Sequence, residues 1–339
     1  MRACEVCGVR RAVVLQRHTG RALCLECFRE DIIARARREV ERWGMIEPGD
    51  TVMLALSGGK DSYVLLDILP DVVKPSKVLG VSVIEGIPGY NREEDVRRLR
   101  EVARERGVEV VVTSIREYVG YSLYEVVSRA FKRGVRHAPC TYCGISRRRI
   151  INAVARTYGA TKVVTAHNLD DEAQTVVVNF LRGDIAGLLK THPLHRPKAP
   201  GVVPRVKPLR KVYEWETAAL AHLKGYPLQE TECMFINMQP TLRARVRQAL
   251  YEVEAERPGT LLKIMEALDE ALRDLASSGG PERLGVCERC GEPTSPGRRV
   301  CKLCEILEEA GVARPIYTLR LPRTNGLIAE VEAASEAEG

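Results

Sequence analysis

The sequence predicts an α/β chain built on a doubly wound parallel sheet, with a small cysteine-rich module at each end. Three observations carry this. Apolar β-prone runs alternate with helix-type apolar runs from residue 50 onward. A glycine-rich turn, Ser57-Gly58-Gly59-Lys60-Asp61-Ser62, joins the first of those strands to the first helix. The eleven cysteines divide into four, three and four, with paired CxxC motifs near both ends. A length of 339 residues suits one large α/β domain with small appendages.

In chain order, Cys4-x2-Cys7-x16-Cys24-x2-Cys27 sets two knuckles around a β-prone linker, the spacing of a tetrahedral structural zinc site over residues 1–30. Redox or disulfide use is the competing reading. Residues 28–43 read as an amphipathic helix with Ile32, Ile33, Ala36 and Val40 on one side, inside a linking segment over 31–49. The core, 50–276, follows a βαβ rhythm: strand 50–56, the turn, then helix 63–69 ending at Pro70. Strand 77–84 leads to a loop at 85–90, a charged helix 91–106 capped by Asn91, and strand 108–113. Helix 147–158, strand 161–166 and helix 170–181, with acids in its first turn, continue the pattern. Gly58, Gly86 and Ala166 all sit where strands end, the edge at which doubly wound sheets bind ligands. The five prolines of 191–208 predict an irregular basic connector. Helix 212–224, a loop holding Cys233 and helices over 242–256 and 261–275 complete the core, and 277–281 is a linker. Cys287-x2-Cys290-x10-Cys301-x2-Cys304 is a second zinc ribbon within 283–308. The small, acidic tail over 324–339 is expected to be disordered.

Charge narrows the partners. The formal charge is +7, but 126–169 and 185–213 contain no Asp or Glu at all. Such blocks favour a polyanion, and Arg129, Lys132, Arg133, Arg136, Arg147 and Arg148 are the candidate contacts. With only 5% aromatic residues, base-stacking platforms are scarce, so phosphate contacts to a folded RNA fit better than a single-strand channel. No apolar run reaches the ~18 residues a membrane span needs, and the start shows no signal-peptide core, which predicts a cytoplasmic chain. Eleven cysteines there point to metal or catalysis rather than disulfides.

The turn at 57–62 has the geometry to hold phosphate. Adjacent glycines let backbone N–H groups approach an anion, a helix N-terminus faces it, and Lys60, Ser57 and Ser62 add a charge and hydroxyls. The spacing is not that of the Walker A loop; it resembles the pyrophosphate loop of enzymes that cleave ATP to AMP. The remaining cysteines, Cys140, Cys143 and Cys233, cannot close a Cys4 zinc site. They suit either a [4Fe–4S] cluster held by three irons or catalytic thiols that carry sulfur. Nearby Arg147 and His137 would favour the thiolates. In His167-Asn168-Leu169-Asp170-Asp171-Glu172, Asp170 reads as a helix cap and Asp171 as the functional carboxylate, for Mg²⁺ or for activating an oxygen.

These motifs occur together with Gly86-Ile87-Pro88-Gly89-Tyr90, Pro139-Cys140-Thr141-Tyr142-Cys143-Gly144, Glu232-Cys233 and Arg257-Pro258-Gly259-Thr260. In that order, nearly end to end, they resemble the tRNA 2-thiouridine synthetases: the TtuA and cytosolic thiouridylase group of the PP-loop ATP pyrophosphatases. The resemblance implies ATP on Ser57, Gly58, Gly59, Lys60, Asp61 and Ser62, with Val83 and Ala166 against the nucleotide and Asp171 catalytic or metal-binding. It implies adenylation of the C2 oxygen of a tRNA uridine, at the wobble position or in the T-loop, and displacement of AMP by sulfur. Cys140, Cys143 and Cys233 would ligate a [4Fe–4S] cluster. A ubiquitin-like thiocarboxylate carrier, or free sulfide, would supply sulfur. Two Zn²⁺ ions and a homodimer complete what it implies. Two departures stand out. Arg147-Arg148 replaces a segment where some relatives carry Lys, which leaves an electrostatic role only, and Ala166 stands where many have Gly. A nitrogen-transferring PP-loop enzyme, which needs no cysteine trio, and a non-enzymatic zinc-ribbon RNA-binding protein, which leaves the phosphate loop unexplained, are the alternatives.

Overall fold

The computed structural model describes residues 2–90, 93–195, 199–228, 231–236, 241–278 and 284–312. Asn91, Arg196, Lys198, the 279–281 part of the linker and the acidic tail lie outside them.

The chain opens with an antiparallel pair, β1 (Val14–Gln16) and β2 (Arg21–Leu23). Cys24 then caps α1 (Leu25–Trp43) by accepting from the Cys27 N–H, so the helix starts earlier than its apolar pattern does. Phe28, Ile32, Ile33, Ala36, Val40 and Trp43 form its buried stripe. Gly44, at φ 53°, takes the left-handed turn that ends it.

The central sheet follows: β3 (Thr51–Ala55), α2 (Lys60–Val72), β4 (Lys77–Ile84), α3 (Glu93–Glu105) and β5 (Glu109–Ser114). Next come α4 (Ile115–Val119), α5 (Leu123–Lys132), α6 (Pro139–Thr157), β6 (Lys162–Thr165), α7 (Leu169–Leu181), α8 (Ile185–Leu189) and β7 (Arg205–Val206). The strands are all parallel in the order β5-β4-β3-β6-β7. The order reverses between β4 and β6 on either side of β3, which opens a crevice at the C-terminal edge of β3.

Several elements differ from the sequence expectation, among them α4, α5 and α8, which it did not contain. Helix α2 does not stop at Pro70 but runs through it, because a proline in the last turn forfeits only one backbone bond. Helix α6 begins at Pro139, not near Arg147: the ring presets φ at the first helical position, where no N–H is needed. The CxxC pair therefore sits in a helical turn. The basic connector supplies β7, the fifth strand, as well as irregular chain. The last core helix divides into α11 (Thr260–Ala271) and α12 (Arg273–Ser278), after α9 (Glu214–Leu223) and α10 (Leu242–Glu256).

The second cysteine module holds β8 (Gly285–Val286), β9 (Pro293–Thr294) and α13 (Lys302–Glu309). It is not a loose appendage: Leu303, Ile306 and Leu307 share one buried cluster with Ile150 and Val154 of α6. No helix among the described residues is long and apolar enough to cross a membrane.

The acid-free blocks of sequence are not acid-free in space. Lys162 pairs with Asp50, Lys207 with Glu172, and Arg149 and Arg156 with Glu292. Arg210 is fully buried between Asp269 and Glu39. Much of each block is internal scaffolding, because ion-pair partners come from distant elements.

Candidate active site

The phosphate loop leaves β3 at Ala55, and its backbone is held by its own hydroxyls. Ser57 N–H donates to Ser62 Oγ at 2.9 Å, the two hydroxyls are 3.0 Å apart, and Gly59 N–H points at Ser57 Oγ at 3.3 Å. Gly58 sits at φ +76°, a conformation that favours glycine. Gly59 caps α2 without any side-chain bond, so the helix N-terminus stays available to an anion.

Lys60 and Asp61 are fixed from outside the loop. Lys60 Nζ lies 3.0 Å from Asp61 and 3.2 Å from Glu214. Burial alone would lower its pKa, but the two carboxylates outweigh that and raise it, so Lys60 stays charged. Asp61 Oδ1 accepts from Thr217 Oγ1 at 2.5 Å and Asn168 Nδ2 at 3.2 Å. Burial also pushes against the Glu214 carboxylate, yet Tyr251, Lys60 and Arg247 hold it below the usual range.

The turn after β6 corrects one expectation. Asn168, not Asp170, caps α7: its side chain accepts from the Asp171 N–H at 3.0 Å, and Asp171 completes the box by accepting from the Asn168 N–H. Asp170 instead turns inward to accept from the Glu214 N–H at 2.7 Å. Burial, with Glu214 adding to it, lifts the Asp170 pKa to about 6. Asp171 is half-exposed and meets Arg243 at 3.2 Å. Lys60, Asp170, Tyr213, Glu214, Trp215 and Tyr251 line part of a cavity of about 350 Å³ beside the loop.

The cysteine trio gathers at the same edge. Cys140 and Cys143 lie in the first turns of α6 and Cys233 in a loop, each within electrostatic reach of another. Glu85, just past β4, pairs with Arg147 at 3.3 Å among them. The expected thiolate bias does not hold: burial pushes the Cys143 thiol up to about 12 although Arg147 acts the other way, and burial also raises Cys233. His137 takes no part, since it faces Glu309 of α13 at 2.7 Å. The trio is not drawn together as tightly as a single-ion site. Three thiols are the donor set of a cubane, where each sulfur binds a different iron.

The terminal cysteines are tighter. In each of the two sets, Cys4, Cys7, Cys24 and Cys27, and Cys287, Cys290, Cys301 and Cys304, all sulfurs lie within 4.8 Å of one another. The sulfur pairs Cys7–Cys24 at 4.0 Å, Cys287–Cys304 at 3.9 Å and Cys290–Cys301 at 3.7 Å approach the ~3.8 Å edge of a tetrahedron with 2.3 Å zinc–sulfur bonds. Both sets fit one zinc ion each.

A PP-loop domain family matches residues 32–254. The Aspergillus niger protein named cytoplasmic tRNA 2-thiolation protein 1 is 32% identical over 92% of this chain and 89% of its own length. The chain belongs to the PP-loop family of tRNA 2-thiolation proteins. The Thermus thermophilus member named tRNA-5-methyluridine(54) 2-sulfurtransferase is 33% identical, covering 89% of this chain and 90% of its own. The solved U34-tRNA thiolase NcsA of Methanococcus maripaludis, with its [4Fe–4S] cluster, superposes with a TM-score of 0.74 at 27% identity, over 93% and 99% of the two chains.

Within this PP-loop member, the structure brings the loop, the Asp171 turn and the cysteine trio to one edge of the sheet. Val83 is buried in β4, and Ala166 follows β6 beside the turn. Of the candidate RNA contacts, Arg129, Lys132, Arg133, Arg136 and Arg148 are exposed, whereas Arg147 is the half-buried partner of Glu85. Arg129 also stacks on Tyr121 at 4.5 Å, and Arg133 donates to the Glu309 carbonyl. Sequence reasoning missed Glu85, Thr217, Glu214, Tyr251 and Arg243, which reach the site from remote segments. Asn168 carried a signal, the N-x-x-D spacing of a capping box.

Proposed function

We propose that this chain is an ATP-dependent tRNA 2-thiouridine synthetase acting in the cytoplasm. The observation that carries the reading is the meeting of a phosphate loop and three non-zinc thiols at one sheet edge. The names of the PP-loop relatives support it. ATP takes its place on Ser57–Ser62 with its phosphates toward Lys60, Ser62 and the N-terminus of α2, and with Val83 and Ala166 along the nucleotide. Asp171 is the carboxylate offered to Mg²⁺ or to the reacting oxygen, oriented by Asn168 and Arg243.

The uridine C2 oxygen attacks the α-phosphorus of ATP, and pyrophosphate leaves. A poor leaving oxygen has then become AMP. Sulfur at the oxidation level of sulfide adds to C2, and the C2–O bond breaks to release AMP, so no electrons are transferred overall. Lys60, kept charged by Asp61 and Glu214, steadies the departing phosphates. Cys140, Cys143 and Cys233 would hold a [4Fe–4S] cluster, whose open iron would supply a binding place for sulfide. The two Cys4 sets would each hold a structural zinc ion. Free sulfide or a ubiquitin-like thiocarboxylate is the source of sulfur, and the active form is a homodimer.

The test is mass mapping of RNase fragments from unmodified tRNA after anaerobic incubation with iron- and zinc-loaded protein, ATP, Mg²⁺ and sulfide. Thiouridine in one fragment supports the reading and separates anticodon from T-loop. Its absence from every fragment, with metals retained and AMP still formed, would favour transfer of another group.

A further inference from the structure

Among the described residues, the guanidiniums of Arg148 and Arg205 have no partner of opposite charge. Arg148 of α6 folds back along its helix, bringing Nη2 within 3.7 Å of where a Gly144 side chain would begin. Arg205 of β7 crosses from the sheet edge and donates from Nη2 to the Arg148 carbonyl at 2.8 Å. Both are exposed. The cations around them are matched: Arg147 by Glu85, Arg149 by Glu292, Lys207 by Glu172 and Arg243 by Asp171. Among the described residues neither Arg148 nor Arg205 has a carboxylate. The charge of Arg148 acts against that of Arg205, and both stand open to a ligand from solvent. The charge that Cys143 can carry acts on Arg148, which places the pair beside the thiols.

Two exposed guanidinium groups tied together by the Arg205–Arg148 carbonyl bond, with no carboxylate on either, offer a place for an anion from outside. Guanidinium forks match phosphate oxygens in geometry as well as charge. We propose that Arg148 and Arg205 form a phosphodiester site that seats the tRNA backbone next to the target uridine. This rests on the thiolation reading above. The pair is a positioning device: it fixes where the strand lies relative to Cys143, while the chemistry occurs at the uridine.

The experiment measures tRNA binding by the full chain across a salt series, for wild type, Arg148→Gln, Arg205→Gln and the double variant, with the KM for ATP alongside. Each neutralisation is expected to weaken binding about tenfold, the scale of a hydrogen bond to a charged group. Each is also expected to lower the log–log salt slope by about 1. Arg205→Lys keeps the slope. Should Arg205→Gln fail to fold, Arg148→Gln, whose side chain is exposed, carries the test alone. An unchanged slope overturns the proposal, as does a raised KM for ATP with unchanged tRNA binding, which would give the pair to the nucleotide's phosphates. A lowered slope in protein that makes no thiouridine would keep the phosphate site and sink the thiolation reading instead.

Discussion

Asp170 is the residue whose environment is most at odds with its chemistry. It lies 6% exposed next to Glu214, and its pKa rises to about 6. Unfolded, it would titrate near 4. Between those values the folded chain binds the extra proton, so this group makes stability fall as pH rises from about 4 to about 6. Asp170→Asn keeps an oxygen for the Glu214 N–H and removes the titration. Urea denaturation from pH 4 to 7 should show that fall flattened, with the variant more stable at pH 7 by roughly 1–3 kcal/mol. An unchanged pH profile would mean that Asp170 is not held as described. The neighbouring Asp171 is placed differently: it is half-exposed, boxed by Asn168 and faced by Arg243.

Among the elements, those with strong local signals were legible. The period-3.6 stripe of α1, the β-rich runs of β3 and β4, and the gathering of the two terminal CxxC sets all reappear. Elements fixed by tertiary contact were not. Strand β7 is two residues long within a proline-rich stretch, and only its pairing with β6 makes it a strand. Helices α4 and α5 carry Ser114/Glu117 and Ser122/Glu125 capping boxes, a readable signal that their short lengths obscured. Basic runs misled for a related reason, since sequence shows a charge but not the distant acid beside it. Arg210 is the clearest case. Burial disfavours its charge, but Asp269 at 2.7 and 2.8 Å and Glu39 at 2.9 Å hold it ionised, tying α1 to α11. Arg210→Met would leave those carboxylates buried with less compensation, and should cost about 3–5 kcal/mol in chemical denaturation. A loss under 1 kcal/mol would show that the network adds nothing.

At the scale of the whole molecule, each cysteine module supports a different half of the crevice. In the N-terminal module Gln16 reaches Glu216 of α9 at 3.0 Å, and Arg35 of α1 grips the same carboxylate at 2.6 and 2.7 Å. Helix α9 in turn supplies Glu214 and Thr217 to the phosphate loop. At the other end Glu292 clamps Arg149 and Arg156 of α6, and Glu309 meets His137 just before the cysteine turn. One module thus braces the half that carries the loop at 57–62, and the other the half that carries Cys140 and Cys143. The central claim is that these halves perform one coupled reaction. Anaerobic single-turnover assays that count AMP and 2-thiouridine together, in iron-loaded wild type and Cys143→Ser, test this most directly. Wild type should release one AMP per thiouridine. The variant should bind ATP normally but lose thiouridine by more than the ~10–100-fold that an outer-shell change costs at metal sites. Undiminished thiouridine from Cys143→Ser would contradict the account.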